Sequence, residues 1–360
     1  MKKSFLVPFT AVMIFSLSCI VLVTALCGPA SADRGSFVLR PPTMKENIDV
    51  FDAGQKAIIC WRNGEELMIL STDKYASAKS KVLEFMPLPS KPSRVEEAKE
   101  EVFQGIARLI SNHRPAVPEG KSPGRALESA QKDSSHEPSV EIVFHKKIGA
   151  HDINIAKINH LDGFGEWVKK FYTMNQLQYM PEDVARLHPL VKDYLDRGYS
   201  YYVFDVIELT TEKRSIAPIL YQFKSPSLYF PLKVTTLSEG DTDVALYLFT
   251  PSRTDIWGTG TGFKSGFYTF SGKADYAHPI KFQVSPLEIK AVSDEIVKFM
   301  APGYTGEKAP GKPQTATYGD DEAMKRITRE DKERPWFSTA KFTGSTKKLT
   351  RDFLLKPRSR

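Results

Sequence analysis

Three histidines with two acids nearby have residue types that could ligate a metal ion. They are His145, His151 and His160, with Asp152 and Asp162 close in sequence. A zinc site needs three or four side chains that converge at about 2.0–2.2 Å, and it usually follows spacings such as His-Glu-x-x-His or paired cysteines. The spacing of these five residues matches no such pattern. It favours three separate surface histidines, and we predict no metal ligands.

A glycine-rich segment at residues 258–266 has the composition of a phosphate-binding loop. It reads Gly-Thr-Gly-Thr-Gly-Phe-Lys-Ser-Gly. A P-loop has glycine directly before the Lys-Ser pair, whereas Phe263 occupies that position here. The segment therefore predicts a flexible, turn-rich loop. Aromatic residues lie around it (Trp257, Phe267 and Tyr268), and long loops often carry function.

The sequence does not identify any catalytic residues. Acids are plentiful, but a glycosidase pair is defined by the distance between two carboxyl groups, which a sequence does not give. Aromatic residues between 199 and 230 predict a core and sheet faces, and a surface that stacks against a ligand is the alternative. These residues are Tyr199, Tyr201, Tyr202, Phe204, Tyr221, Tyr229 and Phe230. We predict no cofactor, and the enzyme question stays open, with a non-enzymatic protein favoured.

The positive charge is concentrated at the C-terminal end. The chain has 360 residues and a formal net charge of +7. Residues 336–360 hold seven basic residues against one acid, Asp352, so the remainder is close to neutral. A nucleic-acid binder needs a broad basic field, and we therefore expect no nucleic-acid partner. The C-terminal charge could contact an anionic polymer or lipid, or it could simply be solvated.

The N-terminal 32 residues have the order of a secretory signal peptide. Lys2 and Lys3 precede an apolar run from Phe5 to Leu26, and the small residues Ala30-Ser31-Ala32 follow. This pattern predicts cleavage between Ala32 and Asp33 and export to the periplasm or the medium. The alternative is an uncleaved anchor, because about 20 apolar residues span a bilayer. We expect membrane contact only in that case.

Cysteine usage agrees with a fold that is held by packing. Cys19 and Cys27 would leave with the signal peptide, so Cys60 would be the last thiol and no internal disulfide could form. Cys60 lies in an apolar strand pattern, which predicts a small buried side chain. A reactive thiol or an intermolecular bridge is the alternative.

The clearest local pattern is a β-hairpin at residues 56–70. Two apolar runs flank Asn63-Gly64, a dipeptide that tolerates the positive φ angles of a tight type I′ turn. Both faces are apolar, so we expect the hairpin to lie centrally in a sheet that is covered on both sides. The two-residue loop fixes the expected pairs as Arg62 with Glu65, Cys60 with Leu67, and Ile58 with Ile69.

Further elements follow from periodicity and from start and stop residues. Strands are predicted at 81–86, 140–144, 153–158 and 281–284, and an antiparallel meander at 201–209, 217–223, 228–235 and 245–249. A helix is predicted from a capping box at Ser93 and Glu96, with a stripe that includes Val102 and Leu109. Other helices are predicted at 162–174, at 292–300, and from Pro181 to a stop at Gly198.

These elements predict an α+β fold with mainly antiparallel sheets, several packed helices and two flexible insertions. We expect a signal peptide at 1–32, a main domain at 33–300 with a flexible loop at 114–138, a flexible charged segment at 301–335, and a basic segment at 336–360 that returns to the core. Proline, glycine and charged residues mark both insertions.

Five short segments are similar to a known family. They are residues 32–35, 54–59, 66–73, 87–92 and 349–352. Together they resemble the secreted prokaryotic family called domain of unknown function 2330. The resemblance implies a secreted, single-domain protein and no particular chemistry. Many members carry a cysteine cluster near the mature N-terminus, which this chain lacks, so no role of that cluster applies here.

The function predicted from the sequence is therefore broad. The first hypothesis is an exported, non-enzymatic protein that binds an envelope component or an anionic polymer through its basic C-terminal end. The alternatives are an extracytoplasmic hydrolase with an unrecognised site, or a structural module of a surface assembly.

Overall fold

The computed structural model describes residues 35–39, 50–52, 54–72, 74–114, 140–212, 216–238, 240–254, 256, 261–270, 273–304 and 334–356. Its strands are β1 (Gly35–Leu39), β2 (Val50–Asp52), β3 (Gln55–Arg62), β4 (Glu65–Thr72), β5 (Lys74–Ala76), β6 (Ser80–Leu88), β7 (Arg94–Glu97), β8 (Val140–Ile148), β9 (His151–Ile158), β10 (Tyr201–Leu209), β11 (Ile216–Lys224), β12 (Leu228–Phe230), β13 (Asp241–Thr250), β14 (Lys264–Ser265), β15 (Phe267–Phe270), β16 (Lys273–Pro279), β17 (Lys281–Gln283), β18 (Trp336–Ser345) and β19 (Phe353–Leu355). The α-helices are α1 (Glu101–Asn112), α2 (Phe164–Met174), α3 (Pro181–Asp196), α4 (Pro286–Val292) and α5 (Asp294–Met300), and short 3₁₀ helices cover Lys233–Leu237 and Thr346–Lys348.

Two large sheets hold most of these strands. The five-stranded sheet has the order β1-β6-β10-β9-β8, and the eight-stranded sheet has the order β14-β18-β13-β3-β4-β11-β7 with β17 also paired to β18. Three small two-stranded pairs complete the set: β2 with β5, β12 with β19, and β15 with β16. Nearly all pairings are antiparallel, and β3 with β13 is parallel. The predicted α+β class is confirmed.

The sheets stack face to face, and helices cover their outer faces. Ile59 and Met68 of the eight-stranded sheet share a buried cluster with Ile155 and Val203 of the five-stranded sheet. A second cluster lies between α2, α3 and the five-stranded sheet. A third lies between α1, α4, α5 and the eight-stranded sheet. Because both sheets are covered on both faces, their central strands are apolar on both sides.

The predicted hairpin forms as expected. β3 and β4 pair with Arg62 opposite Glu65, Cys60 opposite Leu67 and Ile58 opposite Ile69. Asn63 and Gly64 have φ angles of 52° and 79°, the positive values that the turn requires. The hairpin lies between β13 and β11 in the centre of the large sheet. The prediction of a central, doubly covered hairpin is confirmed.

The helix predicted from Ser93 starts later than expected. Residues Arg94–Glu97 form β7, which pairs with β11, and α1 begins at Glu101 without a side-chain cap. The Ser93 hydroxyl and backbone N–H both donate to the carbonyl of Gln222, at 3.1 and 2.7 Å. A capping box contributes about 1 kcal/mol, whereas β7 pairs its backbone with Ile219–Gln222 of β11 at an otherwise open edge. The strand therefore prevails.

Other helices match the sequence with one exception. Both α2 and α3 occupy their predicted segments, with Pro181 as the first residue of α3 and Gly198 at a φ of 83° after its end. The helix predicted at 292–300 is α5, which begins at Asp294 because Ser293 has extended φ and ψ and caps it with its hydroxyl. Val292 is the last residue of a separate helix, α4, which the sequence did not predict. A capping box does occur in the chain, at Ser285 and Glu288, where α4 begins.

The predicted meander is wrong in topology, and the strand predicted at 228–235 is a strand only over Leu228–Phe230, followed by a 3₁₀ helix. β10 belongs to the five-stranded sheet, β11 and β13 flank the β3–β4 hairpin in the other sheet, and β12 pairs with β19. β10, β11 and β13 each bury side chains on both faces, so they insert among other strands instead of lying side by side. The predicted strands at 81–86, 140–144, 153–158 and 281–284 are confirmed by β6, β8, β9 and β17.

The glycine-rich segment is partly built into the core. Residues 257–260 lie outside the described residues. Lys264–Ser265 forms β14 on the edge of β18, and Phe263 is buried with its ring 5.7 Å from that of Phe342 and 5.2 Å from that of Phe353. The described part is therefore mostly irregular, as the sequence predicts, but it contains the short strand β14 and is anchored by a buried aromatic side chain.

The chain after residue 335 joins the large sheet. β18 pairs with β13 from Trp336 to Ser345, and Phe337 is completely buried. The predicted signal peptide at 1–32 lies outside the described residues, as do 115–139 and 305–333 of the two predicted insertions. The domain limits stay a prediction. No helix in the described part of the chain is both long and apolar enough to cross a membrane.

Candidate functional site

The three histidines do not come together. His145 and His160 are exposed, and the Nε2 atom of His145 lies 2.7 Å from a carboxylate oxygen of Asp152. His151 is completely buried, so its predicted place on the surface is wrong. Within the described residues, no group of three or more His, Cys, Asp or Glu side chains could hold a metal ion.

His151 instead belongs to a buried group of four polar residues between the sheets. Its Nδ1 atom lies 2.7 Å from Asp205 and its Nε2 atom 3.2 Å from the carbonyl of Ala217 on β11. Both ring nitrogens of His151 therefore have a polar partner inside the protein. Asp205 faces Glu84 across the β10–β6 pair, and Glu84 lies 2.7 Å from Lys74. The buried Lys74 and Glu84 form an ion pair, as buried charges usually must.

This buried group joins the two sheets and is closed to solvent. The four side chains are at most 1% exposed. Removal of one partner from such a pair leaves an uncompensated charge and is strongly destabilising. The burial of His151 could have been predicted from the sequence, because His151 lies on the same face of its strand as Ile153 and Ile155. We assign this buried group a structural role.

A second polar cluster joins α4 to the end of α1. Glu288 accepts the backbone N–H and the hydroxyl of Ser285 at 2.8 and 2.7 Å, and its other oxygen lies 2.6 Å from Nε2 of His113. Burial would raise the pKa of Glu288, but the hydrogen bonds from Ser285 and His113 outweigh it and lower this pKa. In a hydrolase triad the histidine lies between the nucleophile and the acid. Here the acid lies between them, so His113 does not activate Ser285.

Glu66 is a buried carboxyl group in the central hairpin. One oxygen accepts the backbone N–H of Tyr229 at 2.7 Å, and the other has no hydrogen-bond partner among the described residues. Burial raises the pKa of Glu66 well above its usual range, and the bond from Tyr229 offsets only part of this shift. Cys60 is a free, fully buried thiol whose pKa is raised by burial. Its predicted role as a small buried side chain is confirmed.

Asp352 fixes the C-terminal segment to α3. Its carboxylate accepts hydrogen bonds from the Tyr194 hydroxyl at 2.7 Å, Arg197 at 2.8 Å and the Lys233 backbone N–H at 3.0 Å. The Asp352 side chain is 0% exposed. Arg197 also pairs with Asp193 and lies over the Tyr194 ring, 4.2 Å from its centre. Most of the aromatic residues predicted as core are buried here and in the sheets, as expected.

Burial of Asp352 leaves the C-terminal segment with a basic exterior, which we call the basic surface. Asp352 is the one acid between residues 336 and 356, and its carboxylate forms an ion pair with Arg197. The exposed cations of this stretch form no ion pair with any other described residue. They are Lys341, Lys347, Lys348, Arg351 and Lys356. Lys264 is exposed directly opposite Lys341, and two like charges in that position repel each other.

A half-open cavity, which we call the turn pocket, lies between the β3–β4 turn and α5. Its volume is about 300 Å³, at the small end of the range for ligand pockets. The lining comes from four separate parts of the chain: the turn, β7, β11 and α5 with the residues after it. The side chains that matter below are Arg62, Glu65, Arg94, Gln222, Glu295 and Phe299.

The fold and these sites define an α+β protein of two stacked sheets with helices outside, a basic surface and a small pocket lined in part by charged and amide side chains. The family described as "Uncharacterized protein conserved in bacteria (DUF2330)" matches residues 32–302, and the chain belongs to this family. The resemblance seen in the sequence is thereby confirmed. No curated protein matches the chain.

Among solved structures, the chain is similar to baculovirus P35. The crystal structure of that protein has 10% identity and a TM-score of 0.43, over 90% of this chain and 100% of the other. A mutated form after caspase cleavage has 9% identity and a TM-score of 0.40, over 85% and 100%. The caspase-8/P35 complex has 7% identity and a TM-score of 0.36, over 84% and 96%. TM-scores below 0.5 transfer neither a fold nor an activity.

Proposed function

We propose that the chain is an exported bacterial protein that binds an anionic polymer of the cell envelope through its basic surface. Export is supported by the N-terminal pattern of Lys2 and Lys3, the apolar run and the small residues before Asp33. Binding is supported by one observation above all: the five exposed cations between 341 and 356 have no acid beside them in sequence except Asp352, and that acid is buried.

The cations of the basic surface have no counter-charge among the described residues. Arg197 pairs with Asp352, so the charge of this acid is balanced by Arg197 and not by the exposed cations of the segment. Lys264 and Lys341 face each other across β14 and β18 and gain from an anion placed between them. A polyanion that crosses the edge of the sheet supplies such charges repeatedly, and each cation near an anionic surface raises affinity about fivefold.

The test measures binding of the exported chain to long-chain polyphosphate. The variant K347Q/K348Q/R351Q/K356Q should bind two to three orders of magnitude more weakly, about fivefold for each cation removed. The control K91Q/K169Q/K170Q/K290Q removes four exposed lysines elsewhere and should bind like the wild type. Vesicles of phosphatidylglycerol are measured in parallel. Equal loss in both variants, or binding to the vesicles alone, would contradict the proposal.

Export is tested separately. The N-terminus of the exported protein, determined by Edman sequencing, should begin at Asp33. A protein that begins at Met1 would show that the apolar run is retained, and the envelope protein would then be anchored by it.

A further inference from the structure

The turn pocket has one wall whose charges are already paired. Arg94 donates to Glu96 at 2.8 Å and to Glu295 at 2.8 Å, and Lys298 pairs with Glu295 at 3.1 Å. Burial would raise the pKa of Glu295, but its bonds with Arg94 and Lys298 outweigh that effect and lower it. Arg94, Glu295 and Lys298 line this wall, and their paired charges hold β7 against α5. They need no ligand.

The opposite wall is different, because its polar side chains have no protein partner. Arg62, Asn63, Glu65 and Gln222 make no side-chain hydrogen bond or ion pair with any residue that the structure describes. Arg62 and Glu65 lie directly opposite each other at the hairpin end and are both half-buried, yet they form no ion pair. All four side chains end in planar groups. Arg62 only donates hydrogen bonds, Glu65 only accepts them, and the amides do both.

The charges around this wall disfavour ligands with a full charge. Glu65 lies in register between Arg62 on β3 and Lys224 on β11. A cationic group at Glu65 would meet these two cations, and an anionic group at Arg62 would meet Glu65. A neutral hydroxyl group suits both, because it accepts from a guanidinium and donates to a carboxylate.

We propose that the turn pocket binds a single sugar unit. Neighbouring hydroxyl groups of a sugar ring would accept from Arg62, donate to Glu65 and exchange hydrogen bonds with the amides of Asn63 and Gln222. Phe299 adds an aromatic surface to the lining, against which the apolar face of a sugar ring packs. The volume of about 300 Å³ suits one ring and excludes a long chain lying fully inside.

The experiment is saturation-transfer NMR of the exported chain with D-glucose, D-galactose, D-mannose and N-acetyl-D-glucosamine. At least one sugar should bind, and R62A and E65A should each weaken it about fivefold or more, which is the value of a typical hydrogen bond. The control R108A removes an exposed arginine on α1 and should bind like the wild type. Because the ligand is neutral, its binding should not change between about 50 and about 500 mM salt.

A second measurement does not depend on the variants being folded. In amide spectra of the wild-type protein, the bound sugar should shift the signals of Asn63, Gly64 and Phe299. The proposal is overturned if no sugar binds, if the shifted signals lie elsewhere, or if R62A and E65A bind normally. It is also overturned if inorganic phosphate or alanyl-alanine binds at Arg62 and the sugars do not. The variant that lacks four C-terminal cations should retain sugar binding, which separates this proposal from the polymer proposal.

Discussion

Replacement of Asp352 by alanine should cost about 4 kcal/mol of unfolding free energy. The Tyr194 hydroxyl and the Lys233 N–H, which donate to Asp352 at 2.7 and 3.0 Å, would be left without an acceptor. Each unsatisfied buried donor costs about 1–3 kcal/mol. The Arg197 side chain is 33% exposed and keeps its pair with Asp193, so its loss adds only about 0.5 kcal/mol. D352N keeps one acceptor oxygen and should cost about half as much.

The assay is urea denaturation followed by tryptophan fluorescence, with thermal unfolding as a second readout. For a chain of this size, 4 kcal/mol corresponds to a melting temperature lower by roughly 8 °C. The matched control is D196A at the end of α3, the helix that carries Tyr194, because Asp196 is 63% exposed and pairs only with Lys192 among the described residues. That control should change stability by less than about 0.5 kcal/mol. If D352A and D196A behave alike, Asp352 does not hold the C-terminal segment, and the account of the basic surface fails with it.

Two further predictions concern packing and pH. In G105A, the new Cβ would lie 2.9 Å from the Cα atom of Val292, so α1 would overlap with α4. This overlap should outweigh the higher helix propensity of alanine and lower the free energy of unfolding by about 1–2 kcal/mol. Unchanged stability in urea would show that the two helices can separate. In the folded state the pKa of Glu66 is raised above the ordinary 4.5. The wild type should therefore lose free energy of unfolding, relative to E66Q, as the pH rises above 4.5. If the difference in stability between the two proteins is the same at every pH, Glu66 is not protonated in the folded state.

The parts of the fold that the sequence predicted are those that local interactions determine. The Asn63-Gly64 dipeptide specifies both the turn and the pairing of its strands, and no distant residue is needed. Pro181 and Gly198 bound α3 in the same local way. The predictions that failed depended on distant partners. Ser93 and Ser285 each have a glutamate three residues later, but only Ser285 forms a capping box, because β11 recruits the segment after Ser93 as a strand.

The candidate sites were hidden for the same reason. The turn pocket draws Arg62, Arg94, Gln222 and Glu295 from four segments, and none of these has a recognisable spacing to another. The basic surface could be seen in the sequence as an excess of charge. The burial of its one acid could not, because Asp352 is paired by Arg197, which directly follows α3 and is distant in sequence.

The parallel pairing of β3 with β13 has a consequence for how the polypeptide acquires its structure. β3 can pair with β13 only after the chain as far as Val244 is available, because Gln55 lies opposite Val244. The β3–β4 hairpin, in contrast, can form on its own in microseconds. Closure of so large a loop is entropically costly and slow. Until β13 arrives, the apolar edge of β3 stays open and can pair with another chain. Refolding yield should therefore fall steeply with protein concentration, and a chaperone that covers this edge should restore the yield.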